Sequence, residues 1–389
     1  MIILSIDTSC DDTSAAVLKF NSGKATVLSN IVSSQVKLHQ KYGGIYPSLA
    51  KREHQKNLPI VFKQTLQKNG FLLAKRSPSI LNQKSRQKLL KIREILEKNK
   101  ALYKGTEEIL KKYKKPKINA IAVTVGPGLE PCLWTGVNFA RCLSLWWNIP
   151  LIPVNHMEGH ILAGFVEQPE AYKNSSHILP AIALIASGGH TQLVLVKAIG
   201  RYKIIGETRD DAAGECFDKT ARILKLGYPG GPAIAKAAKS AANEKLATLP
   251  RPMLHSQNYD FSFSGLKTAV LYQWEKMTKR KKASSKYVKI MAREIEQAIV
   301  DVLTKKTIKA LKDYRAKSVI LGGGVAANQK LRQQFRNKLL KINRQIVFTV
   351  PSKKLCTDNA VMIAVAAYFH QKQQTDWEKI EVNSNLRLS

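Results

Sequence analysis

The sequence predicts an α/β protein of two lobes built on one repeated pattern, with a cleft between the lobes. The first observation is alternation: short apolar runs are separated by stretches of helical period, which implies a largely parallel sheet in each half. The second is recurrence, since three successive strand-like runs open at Ile2 and three more open at Ala181. The third is the placing of glycine-bearing turns at strand ends in both halves. At 389 residues the chain is long enough for two or three domains with substantial cores.

Taken in order, residues 2–7, 13–20 and 25–31 read as strands, joined by turns at 8–12 and 21–24. Residues 118–125 form a further apolar strand, 136–147 a helix, and 151–154 a short buried strand. The second half repeats the opening at 181–187, 191–196 and 202–207, with a tight turn at Gly188-Gly189. It continues as helix 291–314, strand 318–321, helix 327–341, strand 345–350 and helix 358–370. This places the N-terminal lobe at 1–177 and the C-terminal lobe at 178–389. Two stretches break the order. Residues 74–117 hold 15 basic and 4 acidic residues, with Leu89, Ile92 and Leu96 at helical spacing. Residues 276–289 hold seven basic residues and no acidic one. Both are expected to be solvated elements laid on the fold, outside its core.

Composition narrows the function classes. The hydrophobic share is 44%, and no run of about 18 apolar residues exists, which leaves no membrane-spanning stretch. The opening Met1–Asp7 lacks a basic leader and reads as a first strand, not as a signal peptide. Five scattered cysteines without a Cys-x-x-Cys point to reduced thiols in the cytoplasm. Lys plus Arg is 63 against 28 Asp plus Glu, a net charge of +35, which makes a polyanion the expected partner, nucleic acid first.

Chemistry concentrates at Asn155-His156-Met157-Glu158-Gly159-His160. Asn155 is a good N-cap after the 151–154 strand. A helix starting there puts His156 and His160, four residues apart, on one face, where two neutral imidazoles can hold a divalent metal. Glu158 faces away and occupies a capping-box position, so it reads as a cap. A zinc-protease motif needs its Glu directly after the first His, and that reading loses its support. Asp358 is the natural third ligand, because two histidines and a carboxylate leave coordination positions open. Asp210, Asp211 and Asp358 also suit plain helix capping. Turns at Gly126-Pro127-Gly128, 187–191, 228–232 and Gly322-Gly323-Gly324 favour a nucleotide, since glycine lets backbone N–H groups approach phosphate. Neither a phosphate-loop nor a dinucleotide fingerprint is present. Asp7 and Asp11 lie in the first turn, and Glu215 and Asp218 follow Asp210-Asp211.

These motifs resemble the tRNA N6-adenosine threonylcarbamoyltransferase family in its bacterial form. The matching stretches are 6–13, 154–160, 187–191, 210–232, Phe261–Ala269, 322–328 and Cys356-Thr357-Asp358-Asn359, in family order from the first strand to the last helix. The resemblance implies the two-lobed actin, Hsp70 and sugar-kinase (ribonuclease H-like) fold. It also implies metal ligands at His156, His160 and Asp358, with iron or zinc as the ion. Threonylcarbamoyl-adenylate would be held by Ile185, Ala186, Ser187, Gly188, Gly189, Asp218, Gly231 and Asn328. The reaction implied moves the threonylcarbamoyl group to N6 of the adenosine 3′ of the anticodon and releases AMP. Asp11 is a candidate for organising the phosphate side. A catalytically silent paralogue and a small ATPase are the implied partners. Two departures stand out: Glu130-Pro131 where the family has a glycine, and the basic stretch 74–117, read as either a solvated helix or an arm gripping tRNA. An ATP- and Mg²⁺-dependent small-molecule kinase of the same fold is the alternative, but it leaves the His156, His160, Asp358 set without a task. A non-catalytic RNA-binding scaffold explains the charge and not the acid- and glycine-rich turns.

Overall fold

Ile3, Leu4 and Ile6 are wholly buried in β1 (Ile2–Asp7), the middle strand of a five-stranded sheet. β1 pairs antiparallel with β2 (Asp12–Asn21), which pairs antiparallel with β3 (Lys24–Ser34). On its other side β1 runs parallel to β4 (Ala120–Gly126), and β4 parallel to β5 (Leu151–Asn155). All seven residues of β4 are buried, as an apolar run in a sheet covered on both faces requires. In this computed structural model the described residues are 1–22, 24–74, 82–168, 175–241 and 248–389.

A second sheet is assembled from β6 (Ala181–Ala186), β7 (Thr191–Ala198), β8 (Arg201–Glu207), β9 (Ser318–Gly322) and β10 (Val347–Thr349). β6 pairs antiparallel with β7 and parallel with β9, β7 antiparallel with β8, and β9 parallel with β10. The orders β3-β2-β1-β4-β5 and β8-β7-β6-β9-β10 are the same topology. The duplication read from pattern is therefore one of strand order and direction. The second core gathers Phe217, Phe261, Phe263 and Phe335 with Ile295, Ile299 and Leu303 of the long helix Ser285–Asp313.

Contacts divide the chain into Met1–Tyr172 with Asp358–Leu388, and Lys173–Thr357 with Ser389. The sequence reading ran the second lobe to 389. Instead the terminal helix Ala360–Phe369 packs in the first unit, against β1, β2 and the helix His156–Leu162. The cause is visible in Ala-Val-Met-Ile-Ala-Val-Ala-Ala, eight consecutive buried residues that need cover on all sides.

The basic stretch 74–117 also departs from expectation. Residues 75–81 lie outside the described residues. The rest forms helices Gln83–Ile95 and Lys100–Lys112, and Ile92, Leu96, Leu102, Ile109 and Leu110 are buried in the first core beside Phe62, Phe139 and Trp147. One face of each helix is apolar and the lysines occupy the other, a division hidden by the stretch's average composition. Residues 276–289 keep to expectation at Lys279, Arg280 and Lys281, which are exposed on the short helix Lys279–Ala283. The helix Pro47–Gln67 had no counterpart in the sequence reading. Pro59 sits inside it, and the ring fits against Gly105, where a Cβ would stand 2.7 Å from the proline.

Candidate functional site

β1, β4 and β5 run parallel and end together, at Asp7, Gly126 and Asn155. The carboxyl ends of parallel strands are where α/β proteins place ligands. Asn155 caps the helix His156–Leu162, its Oδ1 accepting from Met157 N at 2.9 Å and Glu158 N at 3.4 Å. The cap fixes the first turn, and the i, i+4 spacing brings the His156 and His160 rings to 4.7 Å at 83°. Asp358 Oδ1 lies 3.4 Å from His156 Nε2 and 3.3 Å from His160 Nε2. One donor atom from each of the three lies within 4.8 Å of the others, and both histidines are buried. The structure thus brings together the three residues singled out in the sequence.

The electrostatics of this group favour a positive charge at its centre. Burial opposes a charge on His156, but the carboxylates of Asp358 and Asp7 override it and push its pKa up to about 10. Burial likewise opposes ionised Asp358, yet His156 beside it holds the carboxyl well below the usual range. His160 is driven down by burial and stays neutral, with a lone pair to offer. Asp7 Oδ2 stands 3.5 Å from His156 Nδ1. Neither atom makes a hydrogen bond, and neither does either ring nitrogen of His160, although all four are buried. Native interiors rarely leave such atoms alone. Two imidazoles, a carboxylate and orphaned nitrogens in a negative field fit a divalent cation, with Asp7 orienting His156 from behind.

Three contacts hold the carboxylate in place. Ser5 Oγ donates to Ala360 O at 2.6 Å, tying the start of the terminal helix to β1. Asn359 caps that helix by accepting from Met362 N at 3.2 Å. Gly159 lets the helix approach, since a Cβ there would be 3.1 Å from Ile363 and Met362. Asn155 serves the cap, Glu158 is the acid of the first turn, and Glu158 Oε1 accepts from His370 Nε2 at 2.7 Å.

The turn between β1 and β2 carries Asp11 beside Cys10 and Asp12. Burial, then the charge of Asp11, pushes Asp12 up to about 7. Asp7 Oδ1 accepts from Ser9 N at 3.1 Å. The loop after β4 packs on this turn: Leu129 N donates to Ser9 O at 2.8 Å, and a Cβ at Gly128 would stand 2.5 Å from the same oxygen. Glu130 and Pro131 open the helix Glu130–Trp147, with Pro in the first turn where its missing N–H costs nothing.

The other expected set stands in the second unit. Ile185 and Ala186 are buried at the end of β6, the middle strand, which pairs with β7 on one side and β9 on the other. Ser187 N donates to His190 O at 2.8 Å, closing the turn, and nothing lies within 4 Å of a Cβ built on Gly188 or Gly189. Gly214 donates to Ser187 O at 3.1 Å, and Gly323 (φ +83°) lies against Ala186 O, which a Cβ would approach to 2.4 Å. Asp218 Oδ1 accepts from Gly230 N at 2.6 Å, while burial raises its pKa. The space beside Gly231 is open. Asn328 is engaged at both ends: Oδ1 caps the helix Gln329–Ile342 through Leu331 N at 2.9 Å, and Nδ2 donates to Glu296 Oε1 at 2.7 Å. Asp210 accepts from Ser262, Phe263 and Ser264, so it caps the helix Ser264–Lys276 and not the helix that follows it in sequence.

A sequence model described as TsaD: tRNA N6-adenosine threonylcarbamoyltransferase matches residues 26–75 and 98–365, and leaves 76–97 unmatched. A tRNA N6-adenosine threonylcarbamoyltransferase of Thermosipho africanus (strain TCF52B) is 40% identical over 390 residues, covering 100% of each chain. One from Thermomicrobium roseum (strain ATCC 27502 / DSM 5159 / P-2) is 42% identical over 386 residues, covering 95% of this chain and 92% of its own. Among solved structures, full-length HypF in its phosphate- and nucleotide-bound form superposes with a TM-score of 0.52 at 12% identity, over 95% of this chain and 46% of that one. T.kodakarensis HypF gives 0.55 at 12% identity, over 95% and 48%. At that identity the likeness establishes the fold, a pair of actin-like α/β units.

Proposed function

The chain belongs to the tRNA N6-adenosine threonylcarbamoyltransferase family, and on that footing we propose that it transfers a threonylcarbamoyl group from its adenylate to N6 of the adenosine 3′ of the anticodon. A C–N bond forms to the adenosine amine, the mixed-anhydride C–O bond breaks, AMP leaves and the amine gives up a proton. The observation that carries the reading is the His156, His160, Asp358 group, set in a chain matched end to end by its relatives.

His156, His160 and Asp358 would hold one divalent ion, iron first and zinc second, with Asp7 keeping His156 oriented. When bound, that ion supplies Lewis acidity toward a carbonyl oxygen and open positions for substrate oxygens. In the second unit the turn Ser187–Gly189 would hold the phosphate through its backbone N–H groups, Ile185 and Ala186 would line the adenylate beside it, and Asp218 would accept from ribose hydroxyls. Gly231 leaves room beside Asp218, and Asn328 would present its helix N-terminus more than its amide, which Glu296 already occupies. Asp11 is retained as the group that organises the phosphate end. The work of these residues is positioning and charge stabilisation, since the anhydride arrives activated. A catalytically silent paralogue and a small ATPase would be its partners, and the cytoplasm its place. Among the described residues no helix is long and apolar enough to cross a membrane.

Incubation with tRNA, threonine, bicarbonate, ATP and the partner proteins, followed by nucleoside mass analysis, is expected to yield N6-threonylcarbamoyladenosine. Unmodified tRNA in a reaction where the partners are active would defeat the reading. His156→Ala and Asp358→Ala should each lose bound metal while the far-ultraviolet circular dichroism stays native. Nothing favours the small-molecule kinase. A protein that needs only Mg²⁺ and holds no transition metal would revive it.

A further inference from the structure

Residues 35–55 form two arms that leave the turn after β1 and return to it. Gln35 N donates to Asp11 O at 3.1 Å. The short helices Val36–His39 and Gln40–Tyr42 follow, and Gly43, at φ +66°, reverses the chain. Tyr46 is extended, as the residue before a proline favours, and the helix Pro47–Gln67 runs back. It meets the same turn at His54, whose Nε2 donates to Cys10 O at 3.0 Å while its Nδ1 accepts from Thr13 Oγ1 at 2.7 Å. Each arm rises about 12 Å between the turn and the tip.

A buried His39 closes the tip. Its Nδ1 accepts from Tyr46 N at 3.3 Å and its Nε2 donates to Gln35 Oε1 at 3.1 Å, while Gln35 Nε2 donates to Ala50 O at 3.3 Å. What this scaffold presents is aromatic. Tyr42 and Tyr46 are 63% and 55% exposed, with ring centroids 5.9 Å apart and planes 24° apart. The rings are paired, yet both stand largely in water and neither is part of the first core. A packing task would have buried them. Residues 35–55 also hold four basic residues and one acid, Glu53, which accepts from Lys56 at 2.7 Å. Aromatic faces held in a positive setting suit an unpaired base, which binds by stacking.

Resting on the transferase reading, we propose that Tyr42 and Tyr46 are a stacking platform for an unpaired base of the tRNA anticodon loop. The turn that anchors both arms follows Asp7, which stands 3.5 Å behind His156. At about 3.4 Å per stacked nucleotide, 12 Å is three or four nucleotides. The base held is therefore near the target adenosine and is not the target itself. Stacking tolerates any base, so one platform serves tRNAs with different anticodons.

Tyr42→Leu with Tyr46→Leu keeps apolar bulk and removes the ring faces. The Kd for full-length tRNA should rise roughly 5- to 150-fold, the span expected when one base loses its aromatic partner. An isolated anticodon stem–loop RNA should show the same loss. The slope of log affinity against log salt should stay at the wild-type value, because no phosphate contact has gone. The KM for tRNA should rise with kcat at saturating tRNA retained. Tyr42→Phe with Tyr46→Phe keeps the faces and should recover most of the affinity. Tyr42→Leu alone carries the test if the double variant melts below wild type. Unchanged binding in a Leu variant with a wild-type melting curve overturns the proposal, including where the pair proves to dock a protein subunit. A Phe variant that binds as poorly as the Leu variant overturns it too. Wild-type protein that binds tRNA and never modifies it sinks the transferase reading separately, because binding is measured without turnover.

Discussion

Glu158 and His370, 212 residues apart in sequence, form a 2.7 Å hydrogen bond between largely buried side chains. Glu158 sits between the two histidines of the metal group, and His370 ends the helix that Asp358 precedes. The pair therefore bolts the segment carrying two ligands to the segment carrying the third. Glu158 raises the pKa of His370 and so favours its cationic form. His370→Ala should weaken metal retention by at most the roughly 10- to 100-fold that follows loss of a ligand's own outer partner, since its bond reaches the ligands through Glu158. Competition with a chelator reads it directly. Glu158→Gln still offers an oxygen to His370 and should retain metal better than Glu158→Ala. Equal retention in all three proteins would show that the bolt does not bear on the site.

Gly105 offers a test in which packing and propensity oppose each other. Alanine is the better helix former by about 1 kcal/mol. Its Cβ would meet the rigid Pro59 ring at 2.7 Å, and overpacking of that kind costs about 1–3 kcal/mol. Gly105→Ala should therefore lower the Tm, and a raised Tm would refute the contact.

Asn328 and Glu296 make a pair that a one-atom change can poison. Burial raises the Glu296 pKa, and the Asn328 amide at 2.7 Å offsets part of that. Asn328→Asp keeps the helix cap but places a second carboxyl against Glu296, and two carboxylates that close cannot both ionise. Asn328→Ser keeps the cap without the clash of charge. At neutral pH Asn328→Asp should melt below Asn328→Ser. The gap should close as pH falls, because a proton held between the carboxyls restores a donor.

Lys306 gives a pH dependence of the opposite sense. Only 2% exposed, it donates to Ser256 Oγ at 2.7 Å and Asn258 O at 3.0 Å, and burial lowers its pKa from 10.5 to about 8. Between those values the unfolded chain binds the extra proton, so stability rises with pH across that window. Relative to Lys306→Met, wild type should gain up to about 3 kcal/mol of unfolding free energy from pH 8 to 10.5. A constant difference would place the ammonium in a better-solvated setting.

The parts of this molecule that could be read from sequence are those where local pattern and tertiary role agree. β4 is apolar but for Thr124 because it is covered on both faces, and His156 and His160 share a face because helix geometry alone dictates it. In sequence Asp7 is only an acid at the start of a turn. Its position behind His156 depends on strand order, which no short window contains. His370 carried no signal at all, since its partner lies 212 residues away. The Pro47–Gln67 helix was hidden by Pro59, whose accommodation rests on a glycine in another helix. The 74–117 stretch misled because its lysines outnumber the few leucines and isoleucines that decide where it packs.

The second unit is, but for Ser389, the single stretch Lys173–Thr357, whereas the first is closed only by Asp358–Leu388. On the ribosome the order of events follows. His156 and His160 emerge early, but the strand they follow lacks its covering helix and they lack their carboxylate until the whole intervening unit has been made. The intervening unit has all its own strands in hand before that moment and can fold first. Ligand assembly thus waits until the intervening unit has been made, and a chain that stalls between residues 160 and 358 exposes two histidines and an uncovered sheet instead of a finished centre.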